Sequence, residues 1–236
     1  VQLSAMTTGI AASTTQQGRA QNTATETATV RIGEAAGNRA VIDAQGIDLS
    51  AKTETEYTAI GAQAVNQVSG ETRTEVVNAE LKATAAGISL AALDKSRLTS
   101  TATRREVDLN ALAALQIPNL VLEASKAQNE LIREVAASIV DAQGRVENGD
   151  LNLLAEKSAQ MSATAAATSV SARPALIPTF SLSGGGTFAT NSLLGSINAF
   201  IADSNLETTG AGAVSVAAQD DSLINADAQA GQLATG

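Results

Sequence analysis

Apolar positions along the middle of the chain recur at helical spacing. Val77, Leu81, Ala85, Ile88 and Ala92 step by four, four, three and four, with Glu75, Asn78 and Lys82 off the stripe. Spacing of that kind predicts a bundle-forming helix with one narrow apolar face. A second stretch from Thr103 shows Val107, Ala111, Ala114 and Leu115 before Pro118 interrupts the backbone hydrogen-bond ladder. Beyond it, Leu120, Ala124, Ala127, Leu131, Val135, Ala136 and Ile139 keep the helical step until Gly144 and Asn148-Gly149-Asp150 end it. Leu151, Leu154, Ser158, Met161 and Ala165 predict a last helix, stopped by Arg173-Pro174.

Residues 1–24 are mostly Thr, Ser, Gln, Gly and Ala, too little to offset the entropy of ordering, so the segment reads as a flexible or partner-ordered arm. From Thr23 to Val30, Thr alternates with Ala, Glu and Val, which suits a strand, while the Ala-rich continuation after Ala35-Ala36 suits a helix. The region is read as helix. Thr25-Glu26-Thr27, Ile32-Gly33, Ala36 and Asn38 recur as Thr53-Glu54-Thr55, Ile60-Gly61, Ala64 and Asn66, an echo for which chance similarity between Ala- and Thr-rich stretches suffices. Residues 25–173 are therefore expected to be long Ala-rich helices. The fold class expected is mainly α: extended helical hairpins or a bundle, assembling into an oligomer, with irregular N- and C-terminal arms.

Composition sharpens the oligomer expectation. Of 236 residues, 48 are Ala and four are aromatic: Tyr57, Phe180, Phe188 and Phe200. Aromatic side chains supply much of the energy of packed interiors, so thin Ala-lined helices gain stability mainly by repetition over many subunits. With no His and no Cys, Ser-His-Asp and Cys-His nucleophiles, imidazole or thiolate metal sites and disulfides are excluded. Paired carboxylates such as Glu54 with Glu56 or Asp220 with Asp221 read as solvated surface. No catalytic site, cofactor or metal is expected, and the chain is read as no enzyme.

The formal charge is −9, and no basic residue follows Arg173. A chain this acidic gains little from counterion release on nucleic acid, and Arg104-Arg105 beside Glu106 and Asp108 reads as a solvated face. The first residues lack the basic and apolar regions of a secretory signal. No stretch reaches the length of an apolar spanning helix.

Residues 174–206 form a separate segment, and 174–202 contain no charge. Gly184, Gly185 and Gly186 are expected to act as a hinge. Leu193, Leu194, Ile197, Phe200 and Ile201 fall on one helical face and, with Phe188, predict a short amphipathic helix for membrane or partner contact. Two uses stay open: partial insertion at a bilayer interface, or docking on a neighbouring subunit. Residues 207–236 read as a flexible acidic tail.

A small-residue N-terminus, Ala- and Gln-rich helices broken at Pro118 and a Pro-bounded apolar arm after Ala172-Arg173-Pro174 together give a layout that resembles the internal virion (ejection) proteins of T7-like short-tailed bacteriophages. The resemblance implies a non-enzymatic homo-oligomer stored in the virion interior, beside other internal virion proteins and the portal. After ejection it would reach the host cell envelope, contact its membrane and help form a channel through which DNA passes as cargo. It implies no residue-by-residue role. The alternatives are an extracellular, flagellin-like filament subunit and a purely structural capsid or tail scaffold.

Overall fold

The computed structural model describes residues 1–16, 18–108, 120–172 and 182–235, and among them there is no helix. Thirteen strands follow one another: β1 (Gln2–Thr14), β2 (Arg19–Ile32), β3 (Ala40–Ala44), β4 (Ile47–Gly61), β5 (Gln63–Ala83), β6 (Ile88–Asp108), β7 (Leu120–Glu147), β8 (Leu151–Ala172), β9 (Leu182–Leu194), β10 (Ile197–Ala202), β11 (Asn205–Thr209), β12 (Val214–Asp220) and β13 (Leu223–Thr235). The mainly α expectation is thereby overturned, with the helices assigned to the described part of residues 25–173, while Ala111, Ala114 and Leu115 lie outside the described residues. Pro118, Arg173-Pro174 and Phe180 lie outside the described residues.

All the pairings are parallel. One sheet, here sheet A, runs β1-β4-β6-β8, with β12 and then β13 against β8. Sheet B runs from β2 and β3 through β5 and β7 to β9, β10 and β11. Because the chain alternates between sheets, each circuit lays one strand on each, and the next circuit stacks beside it. The result is a two-sheet parallel β-solenoid of four coils, with β12 and β13 beginning a fifth on sheet A.

Strand alternation explains the architecture. Along β4, Ile47, Leu49, Ala51, Thr53, Thr55, Tyr57 and Ala59 are buried and the residues between them are more exposed. Along β8 the buried set is Leu151, Leu153, Ala155, Lys157, Ala159, Met161, Ala163, Ala165 and Ala167. These period-2 sets face the opposite sheet. A step of four residues returns to the same face in a strand as well as in a helix, so Ala127, Leu131, Val135 and Ile139 satisfy both patterns. Between them the interior also takes Asn129, Arg133 and Ala137. Polar residues at inward positions are what hid the alternation.

The scarcity of aromatics follows from the shape of the interior. Near the Gly61-Ala62 turn, where the chain crosses between sheets, the buried cluster consists of Ala20, Ala59, Ala64, Ala102, Ala127, Ala163 and Ala165 alone. Larger aliphatics gather towards the other end, where Ile47, Leu49, Ile88, Leu90, Leu151 and Leu153 meet Leu81, Val135 and Ile139. Ala is a poor strand former by intrinsic propensity. It is selected here because two backbones converge and leave room for one methyl group.

The segments read as arms are part of this body. β1 pairs with β4 and β2 with β5, so residues 2–14 and 19–24 are ordered by strands of their own chain. β12 and β13 continue sheet A along β8. The true repeat is also visible in the register: Asn66 and Asn129, which pair side by side, are 63 residues apart, Asn129 and Asn191 62, and Asn22 and Asn66 44. Thr25-Glu26-Thr27 does not stack on Thr53-Glu54-Thr55; it lies beside Ser69-Gly70-Glu71.

Candidate functional site

Two polar constellations occupy the interior. The first is a ladder of asparagines at equivalent positions of β2, β5, β7 and β9. Asn22 donates to Asn66 Oδ1 at 2.8 Å, Asn66 to Asn129 Oδ1 at 2.9 Å, and Asn129 to Asn191 Oδ1 at 2.8 Å. Each amide nitrogen also donates across the interior to a carbonyl of sheet A: Asn22 to Thr58, Asn66 to Thr99 and Asn129 to Ser162, each at 2.8 Å, and Asn191 to Asn225 at 2.5 Å. The accepting residues themselves stack in register on β4, β6, β8 and β13. One side chain per coil therefore fixes the register within sheet B and ties sheet B to sheet A. Asn66 and Asn129 are fully buried, so their amides are satisfied by protein alone, as burial of such groups demands.

The second constellation is charged. Arg133 on β7 is fully buried; its Nη2 lies 3.1 Å from Glu26 Oε2, its Nη1 donates to the Glu26 carbonyl at 3.0 Å, and its Nε lies 3.2 Å from Asp94 Oδ1. Tyr57 Oη donates to Glu26 Oε1 at 2.6 Å, and Ser96 Oγ lies within hydrogen-bond reach of both Asp94 oxygens. Glycine makes the space. Glu26, Gly70, Arg133 and a position beside Gly195 form one column across sheet B. A Cβ on Gly70, whose φ is +141°, would stand 1.7 Å from the Glu26 carbonyl and 2.7 Å from Arg133 Nη1. A Cβ on Gly9 would stand 1.7 Å from Glu26 Oε1.

Burial and the neighbouring Glu26 carboxylate push the Tyr57 hydroxyl up to about 12. Burial also raises the Asp94 carboxyl above its ordinary value, against the pull of Arg133 and the Ser96 hydrogen bond. At the outer end of the same sheet-A column, Lys157 Nζ lies 3.0 Å from Asp220 Oδ2. Asp220 is opposed by its own partial burial yet held below the usual carboxylate range by hydrogen bonds from Ser222 and Lys157.

This chemistry is inward, and its one buried nitrogen without a hydrogen bond, Arg133 Nε, still lies 3.2 Å from the Asp94 carboxylate. Glu26, Asp94, Arg133 and Tyr57 are acid, base and phenol groups, but each is at most 6 % exposed and bound to the others, so no substrate atom reaches them. Among the described residues no group of acidic side chains is arranged to hold a metal ion. One groove, of about 670 Å³, lies along the turns between coils and is lined by Gly46, Gly87, Gly149, Asp48 and Asp150, among others. Its glycines are there for stacking: a Cβ on Gly87 would stand 2.1 Å from the Asp150 carbonyl oxygen.

The residues proposed from sequence for membrane or partner contact separate onto two faces. Phe188, Leu194 and Phe200 point outward from β9 and β10 and are 61 %, 52 % and 43 % exposed. Leu193 packs inward beside Leu131, and Ile197 and Ile201 pack into the large aliphatic cluster. No single amphipathic helix face unites the six. Gly184, Gly185 and Gly186 lie within β9, in register with Leu122, Glu123 and Ala124, and form no break between elements.

No family model, curated protein or solved structure matches the chain. The ladder was nonetheless written in the sequence: Ala64-x-Asn66-x-Val68, Ala127-x-Asn129-x-Leu131 and Ala189-x-Asn191-x-Leu193 are one motif at the coil spacing. Asn in an apolar alternation is the signal that finds it.

Proposed function

We propose that the chain is a non-enzymatic structural element, a stiff β-solenoid that acts as a scaffold or spacer. The observation that carries this is the uninterrupted asparagine ladder: its polar groups are consumed in joining coil to coil and sheet to sheet. The absence of His and Cys and the enclosure of the charged cluster support the same reading. Repeat architectures of this kind are quasi-one-dimensional, with each unit stabilised by its neighbours and curvature set by small steps.

Of the alternatives raised by composition, a filament or scaffold component agrees best with this geometry. The DNA-conduit expectation drew on long helices, and the described parts of those segments are mostly strands. Between the two sheets of the described residues the space is filled by side chains. A solenoid scaffold should tolerate loss of a whole coil. Deleting residues 151–213, one full circuit, is expected to leave a folded, cooperatively melting protein thinner by one strand spacing, about 4.8 Å, as read by solution scattering. Loss of all cooperative folding on that deletion would contradict a modular scaffold.

A further inference from the structure

We infer that the sealed cluster of Glu26, Asp94 and Arg133 is a proton-binding site: on acidification it takes up one solvent proton, held on Asp94, and the two sheets grip each other more firmly. This goes beyond the scaffold reading, because it gives the solenoid a response to pH.

The count of charges comes first. Glu26 on β2 and Arg133 on β7 belong to sheet B, and Asp94 on β6 belongs to sheet A. Glu26, Asp94 and Arg133 are 6 %, 2 % and 0 % exposed, so two carboxylates face one guanidinium where water does not compete. The other groups packed around Asp94 leave that balance unchanged. Lys157, its register partner on β8, turns its ammonium to Asp220 of β12 at 3.0 Å. From β4, Tyr57 gives its hydroxyl proton to Glu26. β1 and β5 bring up Gly9 and Gly70, which carry no side chain. With both carboxylates ionised the trio holds one uncompensated negative charge, which is expensive to bury. A single proton cancels it.

Hydrogen bonding decides where that proton sits. Glu26 is well supplied with donors: Arg133 Nη2 lies 3.1 Å from its Oε2, and Tyr57 Oη donates to its Oε1 at 2.6 Å. Asp94 has one, Ser96 Oγ, at 3.1 and 3.2 Å from its two oxygens, and a hydroxyl has a single hydrogen to give. Arg133 Nε stands 3.2 Å from Asp94 Oδ1 yet makes no hydrogen bond, so this buried ion pair is poorly aligned. Of two buried carboxylates, the one whose ionised form is short of donors is the one that protonates. The step is a plain proton uptake: a solvent proton bonds to an Asp94 carboxylate oxygen and no bond breaks. Neutral Asp94 can then donate to Ser96 Oγ, and Arg133 is left in a matched pair with Glu26.

Burial acts in the same direction. It raises the Asp94 carboxyl above 3.8, against Arg133, Ser96 and Lys157, and the Glu26 charge adds to the rise. Between 3.8 and the folded value, the folded state keeps a proton that the unfolded state has lost. The stability contributed by Asp94 is therefore complete below 3.8 and is lost as pH rises through the folded value.

The test uses the full chain with isotope-labelled aspartate carboxyl carbons, the Asp94 signal being assigned through its own backbone and followed by NMR as pH is lowered. The expected midpoint lies above 3.8. Glu26→Gln should move it down by removing the second negative charge, and Ser96→Ala should move it up by removing the donor. A merely structural role for Asp94 would move neither. In urea titrations the midpoint of the wild-type chain, relative to that of Asp94→Asn, should rise as pH falls from neutral and level off below 3.8. That difference isolates Asp94 from Glu54 and Asp220, whose lowered values act in the opposite sense. An Asp94 midpoint at or below 3.8, no response to Glu26→Gln, or a wild-type chain that loses ground to Asp94→Asn on acidification would overturn the inference. The wild-type NMR midpoint needs no variant, so it decides the matter even where a substituted chain fails to fold.

Discussion

Arg133 is a guanidinium with no access to water, held between the carboxylates of Glu26 and Asp94. Removing one partner of such a set leaves the others buried and uncompensated. Arg133→Met is therefore expected to lower unfolding free energy by ~3–5 kcal/mol, measured as a shift in the urea midpoint at constant slope; a shift below ~1 kcal/mol would mean that water reaches the cluster. Tyr57 offers a cleaner readout, because it is the only tyrosine and the chain has no Trp. Its ultraviolet absorbance should titrate at about 12, above the ordinary 10.0, and Glu26→Gln should bring the midpoint down. The sign for stability follows from the raised value. Between the two values the folded state holds the phenolic proton that the unfolded state has lost. Stability is thus fully present below pH 10 and declines by ~2–3 kcal/mol as pH rises towards 12. A titration midpoint near 10 in the folded protein would place Tyr57 in solvent and break its link to Glu26.

Strands form here because of what alternates, although the alternation is disguised. β7 carries Asn129 and Arg133 at inward positions, and β6 carries Asp94, Ser96 and Ser100. A reader who expects apolar residues inside skips these and connects Ala127, Leu131 and Val135 by fours, which gives a helix. Small side chains reinforced the error, since Ala favours helix in isolation and its selection by close sheet contact is visible only in three dimensions. The turn at Asn148-Gly149-Asp150 was legible, whereas the alternation from Thr23 to Val30, which suits the strand β2, was outweighed by the Ala-rich continuation after Ala35-Ala36. The charged cluster was illegible because Glu26, Asp94 and Arg133 lie on separate strands whose register depends on coils of unequal length. The ladder gives a prediction at this scale. Asn129→Leu leaves Asn66 without an acceptor, Asn191 without a donor and the Ser162 carbonyl without its bond, and should cost about 1–3 kcal/mol for each buried group left unpaired. Asn22→Leu, at the end of the ladder, should cost less. Equal costs in denaturant titrations would show that the ladder does not act as a connected unit. The far-UV spectrum of the wild-type chain should be of β type, with no helical double minimum.

At the scale of the whole molecule, the solenoid converts distant sequence into neighbouring rungs. Stability then depends on stacking: each coil covers the next, and among the described residues the outermost strands pair on one side. Such edges are hazards for aggregation unless they are covered or charged. On sheet A the outer strand β13 carries Asp227, with Asp220 and Asp221 just before it, whereas β9 and β10 carry no charged residue at all. The described part of the uncharged stretch, residues 182–202, therefore lies along the outer strands of sheet B. The register itself is the central claim. Met6, Lys52, Leu93, Glu156 and Gln219 occupy one row across sheet A, so residues near opposite ends of the chain stand four strand spacings apart. Because the chain lacks cysteine, Met6→Cys with Gln219→Cys places two spin labels cleanly. Pulsed electron resonance should give one narrow distance distribution, consistent with backbones separated by about 19 Å plus the label arms; a broad distribution extending over several tens of ångströms, as from two flexible arms, would contradict the solenoid.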